Sequence, residues 1–284
     1  MNTTKIGWIG LGKMGVPMSQ SLINAGFPVT VYNRSKQKEA GLKAGGAGVA
    51  PTPGDLIQQA DIVIIMVTDD KAIHDIFKGA NGLLSAGASG KIIINMSTVS
   101  PAISKEMAEA CMQQGNHYLD APVSGSVKQA QEAQLVIMAG GDESTFQIAK
   151  PILEKIGRLA LLVGGTGAGN TAKLVINTLL GIQAQALAEV FAFAEQSGIK
   201  TTDLVTLINN SALGSPFIKI KGEALLNNNF TAAFSLSNIA KDLRLAKDIG
   251  LSTPLAEVAY QTFQDAEPAL GEEDIIAVYK QIDQ

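Results

Sequence analysis

Between two short apolar runs the chain turns through Gly10-Leu11-Gly12-Lys13-Met14-Gly15. The run before it is Lys5-Ile6-Gly7-Trp8-Ile9; the run after it, Phe27-Pro28-Val29-Thr30-Val31-Tyr32, ends in Asn33-Arg34-Ser35. No other feature restricts the fold as much. A glycine triplet at this spacing, placed after a strand and at the opening of a helix, with a second strand at the right distance, reads as the first βαβ unit of a dinucleotide-binding sheet. Gly10 permits the tight turn, Gly12 lets backbone N–H groups approach a pyrophosphate, and Gly15 lets the helix pack on the strand. The helix N-terminus adds partial positive charge at the phosphates. Leu11, Lys13 and Met14 complete the loop, so all six residues are candidate cofactor contacts.

The end of the second apolar run refines this expectation. An acid about 20 residues past the glycines normally binds the ribose 2′-OH of NAD. Here that place holds Asn33, followed by Arg34 and Ser35. A carboxylate would repel a 2′-phosphate, whereas a guanidinium pairs with one through two parallel hydrogen bonds. The expected cofactor is NADP(H), with NAD(H) as the possible second. A solvated basic turn is the plain alternative for Arg34.

Strand-like runs at Lys5–Ile9, Val29–Tyr32, Ile62–Val67, Lys91–Asn95, Tyr118–Ala121, Leu135–Ala139 and Leu161–Val163 alternate with helical patterns through the first half. Ile62-Val63-Ile64-Ile65-Met66-Val67 is apolar on both faces, as a central parallel strand covered by helices on both sides should be. After Gly164-Gly165-Thr166-Gly167 the pattern is helical almost throughout, beginning with a long stretch from about Gly169 to Glu195. The expected fold is α/β: a Rossmann-like doubly wound sheet over residues 1–165, then an all-α domain over 166–284, joined by a long interdomain helix.

With 284 residues, two domains with sizeable cores are expected. A formal net charge of −4 with no Lys/Arg run gives no footprint for nucleic acid or for an anionic membrane surface. The single cysteine, Cys111, rules out an internal disulfide framework and reads as a helical thiol between Met107 and Met112. No metal is expected, because no His, Cys and carboxylate cluster has ligand spacing. The N-terminus does not read as a signal peptide, and the apolar region Ala172–Ala194 is interrupted by Lys173, Asn177, Gln183, Gln185 and Glu189, so no membrane span and a cytoplasmic setting are expected.

In open α/β sheets ligands bind beyond the carboxyl ends of the strands. Val67-Thr68 and the Thr98 of Asn95-Met96-Ser97-Thr98-Val99-Ser100 sit at such ends and are candidate cofactor contacts, although either threonine also fits a helix N-cap. Ser124-Gly125-Ser126, in Asp120-Ala121-Pro122-Val123-Ser124-Gly125-Ser126, concentrates small donors suited to a carboxylate or carbonyl oxygen. At the start of the long helix Lys173 and Asn177, at i and i+4, share one face amid Leu174, Val175, Ile176, Leu179 and Leu180. Such a lysine either snorkels to solvent or is held in a cleft, where a partly desolvated ammonium exchanges protons near neutral pH.

Taken in order, Ile9-Gly10-Leu11-Gly12-Lys13-Met14-Gly15, Asp120-Ala121-Pro122-Val123-Ser124-Gly125, Gly169-x-x-x-Lys173-x-x-x-Asn177 and Lys241-Asp242-Leu243 resemble the β-hydroxyacid dehydrogenase family nearly end to end. The resemblance implies that Lys173 is the acid/base at the carbinol oxygen, that Asn177 orients substrate and that the Ser124-Gly125 loop holds its carboxylate. It further implies that Thr98 meets the nicotinamide end, that Lys241 reaches the cofactor, that Asp242 pairs with a lysine, and that the helical domain forms a homo-oligomer, a dimer or tetramer. Many members read Ser-Gly-Gly where this chain has Ser124-Gly125-Ser126. That variant and Asn33-Arg34-Ser35 look most like the NADPH-linked glyoxylate/succinic semialdehyde reductase branch. The expected activity is therefore an NADPH-preferring oxidoreductase that interconverts a small carboxylate-bearing aldehyde or keto acid and its hydroxy acid. Its alternatives are a 3-hydroxyisobutyrate or tartronate semialdehyde enzyme and, of another class, a non-catalytic nucleotide-sensing or interaction module, against which Lys173 argues. Phosphogluconate-type decarboxylation is disfavoured by the shorter helical half and the lack of a basic cluster for a sugar phosphate.

Overall fold

A computed structural model describes residues 3–283. The strands are β1 (Ile6–Ile9), β2 (Val29–Tyr32), β3 (Gly48–Val49), β4 (Ile62–Ile65), β5 (Ile92–Asn95), β6 (His117–Asp120), β7 (Val123–Ser124), β8 (Leu135–Gly141) and β9 (Gly157–Gly164). They form one sheet in the order β3-β2-β1-β4-β5-β6-β8-β7, with β9 on β8. From β3 to β6 every pairing is parallel; β8 runs antiparallel to β6 and β7, and β9 runs parallel to β8. Ile6 stands in register with Val29 on one side and Ile62 on the other, so the strand order reverses at β1, beside the glycine loop. The doubly wound α/β sheet inferred from the alternating pattern is the fold observed.

The continuous apolar reading of β4 has its physical reason in two cores. Ile62 and Ile64 join Trp8, Met18, Leu22, Val31 and Ile94 on one face. Val63 and Ile65 join Ile9, Ile57, Phe77, Ile93 and Met107 on the other. Cys111 belongs to the second core, and burial pushes its thiol up to about 12, as expected of a packing residue.

Short elements escaped the sequence. β3 and β7 are two residues each, and the helix Val127–Gln131 has five. After β2 a 3-10 turn, Lys36–Glu39, is followed by the helix Ala40–Ala44. β9 is longer than its apolar tip at Leu161–Val163, because Gly157, Leu159 and Ala160 already pair with β8, across a register shift at Arg158.

The chain divides into two compact units, residues up to Lys173 and residues from Leu174. The helix Ala168–Gln196 starts in the first and continues into the second. In the second unit, among the described residues, helices Thr201–Asn209, Pro216–Leu226, Leu236–Asp248, Pro254–Leu270 and Tyr279–Ile282 carry the structure, and the only β pairing is the isolated bridge Ser235 to Asp274. Its core gathers Leu187, Phe191, Leu236, Ile239, Leu243 and Phe263. A buried pair, Lys221 Nζ to Asp274 Oδ1 at 2.7 Å, ties helix Pro216–Leu226 to the C-terminal segment, and Asp274 also accepts from the Ala233 N–H.

Contrary to the sequence reading, the helix Ala168–Gln196 is long and apolar enough, by length and composition, to cross a membrane. The polar interruptions are too few to lower its average, and 44% of that apolar stretch is buried inside the fold. Ala184, Leu187, Ala188 and Phe191 are core residues of the second unit.

Candidate active site

The glycine loop leaves β1 at the point where the strand order reverses. Gly10 has φ +99°, and a Cβ there would meet the Met66 carbonyl oxygen at 2.1 Å. A Cβ on Gly15 would meet the Gly10 carbonyl oxygen at 2.0 Å, so the helix Gly15–Asn24 approaches the turn as closely as a backbone can. Gly12 differs: it is exposed, and nothing lies within 4 Å of the place its Cβ would take. Two glycines are thus required by the fold, and the third faces open space. Trp8, the only tryptophan, is fully buried beneath, and its indole N–H donates to the Gly10 carbonyl at 2.9 Å. Leu11 is buried, Lys13 is exposed and Met14 is half-buried.

The turn after β2 is wired to the same loop. Asn33 Oδ1 accepts the Leu11 N–H at 2.9 Å, and Asn33 Nδ2 donates to the Ser35 carbonyl. The asparagine side chain therefore holds the glycine loop in place. The Asn33 N–H donates to the buried carboxylate of Glu39, which Lys36 neutralises at 3.1 Å, and Lys36 also stacks over Tyr32. Arg34 and Ser35 are exposed beside this locked turn.

At the ends of β4 and β5 the helix caps are taken by other residues than the candidate threonines. Asp69 accepts from the Ala72 N–H, and Ser100 accepts from the Ile103 N–H. The cap reading thus belongs to Asp69 and Ser100, and Thr68 and Thr98 stand one and two residues before them. The Val67 N–H donates to Ser97 Oγ at 2.9 Å, which links the two loops.

In the Ser124-Gly125-Ser126 loop, Gly125 has φ +138° and no room for a Cβ, which would sit 2.7 Å from Leu135. Ser126 is the N-cap of the helix Val127–Gln131; both its N–H and its hydroxyl are engaged with Gln129. Ser124 is half-buried and Gly125 is exposed.

Asp120 was visible in the sequence only as part of a motif, and its position gives it a role. Its carboxylate is fully buried at the end of β6. Oδ1 accepts the Gly167 N–H and Oδ2 the Asn170 N–H, both at 2.7 Å, so Asp120 caps the long helix from another element. Burial pushes the carboxyl above the usual range, against the opposing pull of the Asn170 and Gly167 N–H groups. Lys173 follows on the next turn and is 8% exposed. The sequence left two fates for this lysine; it is buried rather than snorkelling.

In the second unit Asn177 is buried, and its Nδ2 donates to Asp242 Oδ2 at 2.5 Å. Asp242, also buried, pairs through Oδ1 with Lys241 at 3.0 Å. The charged Lys241-Asp242 step, unremarkable on a helix surface by itself, fixes the Asn177 amide. Among the described residues no group of three or more His, Cys, Asp or Glu side chains is placed to hold a metal ion.

The sequence profile of the NAD binding domain of 6-phosphogluconate dehydrogenase matches residues 5–165, and that of the NAD-binding domain of NADP-dependent 3-hydroxyisobutyrate dehydrogenase matches residues 167–282. The chain belongs to the β-hydroxyacid dehydrogenase family. It is an NAD(P)-dependent oxidoreductase of the CH–OH group. As a β-hydroxyacid dehydrogenase it is 33% identical over 283 residues to glyoxylate/succinic semialdehyde reductase 1 of Arabidopsis thaliana, covering 98% of each chain. Its fold matches a solved 3-hydroxyisobutyrate dehydrogenase of Mycobacterium tuberculosis with L-serine, at a TM-score of 0.90, 31% identity and full coverage of both chains. A solved structure of Psf3 in complex with NADP+ and 2-OPP matches at a TM-score of 0.88 and 27% identity, covering 97% of this chain and 99% of that one.

Proposed function

We propose that this dehydrogenase prefers NADP(H) and reduces a small carboxylate-bearing aldehyde or keto acid to its hydroxy acid, in the manner of a glyoxylate or succinic semialdehyde reductase. The observation that carries the reading is the buried Lys173, set on the first turns of a helix whose start is capped from the end of β6. The glycine loop would hold the pyrophosphate of the dinucleotide, whose reduced nicotinamide would supply the hydride for the carbonyl carbon. Lys173 gives its proton to the oxygen as negative charge develops there and stabilises that charge. Asn177, one turn further on the same helical face, orients the substrate, its amide held by Asp242. Ser124 and Gly125 receive the carboxylate in a loop whose shape Ser126 sets by capping the next helix. Thr98, with Val67 and Thr68, meets the nicotinamide half, and Lys241 serves the cofactor side.

The preference for NADP(H) rests on Arg34. It is exposed at the end of β2, Asn33 is occupied in bracing the glycine loop, and the nearby acid Glu39 is buried and neutralised by Lys36. A homo-oligomer, dimer or tetramer, is supported by an apolar stripe on the long helix: Val175 at 65%, Leu179 at 57% and Phe193 at 69% exposure share one face with Val190. The likeness to the 3-hydroxyisobutyrate dehydrogenase structure favours a 3-hydroxyisobutyrate-type substrate as the second reading. NADPH consumption with glyoxylate, succinic semialdehyde, tartronate semialdehyde and methylmalonate semialdehyde, each against an uncharged aldehyde of equal length, tests the proposal. Turnover restricted to the acids supports it; equal turnover of the uncharged aldehydes contradicts the carboxylate cradle.

A further inference from the structure

A buried polar chain runs beneath the loops at the ends of β4, β5 and β6. The Val67 N–H donates to Ser97 Oγ, and the Ser97 N–H donates to Asn95 Oδ1. Asn95 Nδ2 donates to the Tyr118 hydroxyl at 3.1 Å, and Tyr118 is hydrogen-bonded to Ser104. Ser104 Oγ accepts from Asn170 Nδ2 at 3.1 Å, and Asn170 Oδ1 accepts the Val99 N–H at 3.0 Å. Asn170 is fully buried and lies three residues before Lys173.

Asn170 is the third residue of the helix Ala168–Gln196. The start of that helix is capped by Asp120, which accepts the N–H groups of Gly167 and Asn170 itself. The Asn170 amide instead reaches across to a loop 71 residues earlier in the chain and holds the peptide that follows Thr98. Both halves of the amide are used, so its rotation is fixed as well as its position.

We propose that Asn170 is a positioning residue, which sets the separation between the Thr98 loop and Lys173 and so between the nicotinamide contact and the proton donor. The inference rests on the reading of Lys173 as that donor. Reacting groups must be held to a fraction of an ångström, and a misplacement of about 1 Å costs roughly 10²-fold in rate. Removing the amide leaves the Val99 N–H buried without its acceptor and lets the loop move off the helix.

The test is a single-turnover measurement of NADPH oxidation in Asn170→Ala, Ser104→Ala and Thr98→Ala, singly and combined, alongside amide hydrogen exchange at Val99. Partial unfolding lowers the amplitude of the single turnover, whereas misplacement lowers its rate constant. In Asn170→Ala the rate constant should fall about 10- to 100-fold, with Val99 losing protection. In the Thr98→Ala background the same change should cost several-fold less, because the loop it holds no longer carries its contact. Ser104→Ala keeps the acceptor for Val99 but frees the amide to rotate; it should slow the step by a few-fold and serves if Asn170→Ala does not fold. An unchanged rate constant in the folded variants, or unchanged protection at Val99, overturns the inference. A wild-type rate constant in Lys173→Ala sinks the reading of Lys173 instead; an inactive Lys173→Ala beside a fully active Asn170→Ala sinks only the role of Asn170.

Discussion

Asp120→Asn sets two opposed effects against each other at one buried atom pair. The carboxylate is fully buried and accepts two backbone N–H groups at 2.7 Å. Asparagine removes the buried charge, which favours the fold, but it can accept only one of the two bonds and turns an NH2 toward the other donor. A buried N–H left without an acceptor costs about 1–3 kcal/mol. We expect the lost bond to win, so the variant is less stable by about that amount at neutral pH. For a chain of this size each kcal/mol lowers the melting temperature by about 2–4 °C.

The pH dependence carries a further signature. Burial raises the folded-state value of Asp120 above its ordinary one, so the folded chain takes up this proton before the unfolded chain does. The stability Asp120 contributes is therefore fully present below the ordinary carboxylate value and declines as pH rises through the raised one. The gap between wild type and Asp120→Asn should narrow from acid toward neutral pH. A carboxylate such as Asp142, held low by the Ser144 hydroxyl and the Thr145 N–H, works in the opposite direction. Denaturant unfolding followed by circular dichroism from mildly acid to neutral pH measures the gap, and hydrogen exchange at Gly167 and Asn170 locates it. An asparagine variant as stable as wild type at neutral pH, or a gap that widens with pH, would refute the reasoning.

Gly12→Val should fold with a wild-type melting temperature, since open space surrounds the added side chain, yet lose NADPH binding. Energy transfer from Trp8 to the nicotinamide reads the affinity, and unimpaired binding would show that the pyrophosphate lies elsewhere. Arg34→Asp should reverse or abolish the NADPH preference by removing a charge-assisted contact of about 1.5–3 kcal/mol; equal use of NADPH and NADH by the wild type would refute the role. Ser124→Ala should raise KM for the acid substrate more than it changes the affinity for NADPH, and an unchanged KM would remove Ser124 from the carboxylate cradle.

Much of this architecture was legible because it follows from periodicity and from glycine. The β4 run is apolar at every position because both faces meet a core, and the glycine loop is constrained by contacts that no Cβ survives. What escaped was either short or long-range. β3 and β7 are too brief for any period to show, and Asn33, a candidate ribose or phosphate contact in the sequence, is engaged with a backbone N–H 22 residues away. Asp120 and Asn170 carried a signal, a polar residue closing an apolar strand and an asparagine just ahead of the key lysine. Their partners lie 47 to 71 residues distant, and no local pattern names them. The stretch of the long helix around Lys173 was ambiguous for the same reason, since burial depends on what packs over it.

The central claim is that Lys173 transfers the proton, and its most direct test is the turnover of Lys173→Ala and Lys173→Met with the best acid of the panel, beside NADPH titration and a melting curve. General acid catalysis supplies about 10²–10⁴-fold, so kcat should fall by that factor in both variants. Affinity for NADPH, read by energy transfer from Trp8, should stay near wild type, and so should the melting temperature of Lys173→Met, which keeps the buried volume without the charge. A folded, cofactor-binding Lys173→Met with near-normal kcat would contradict the account.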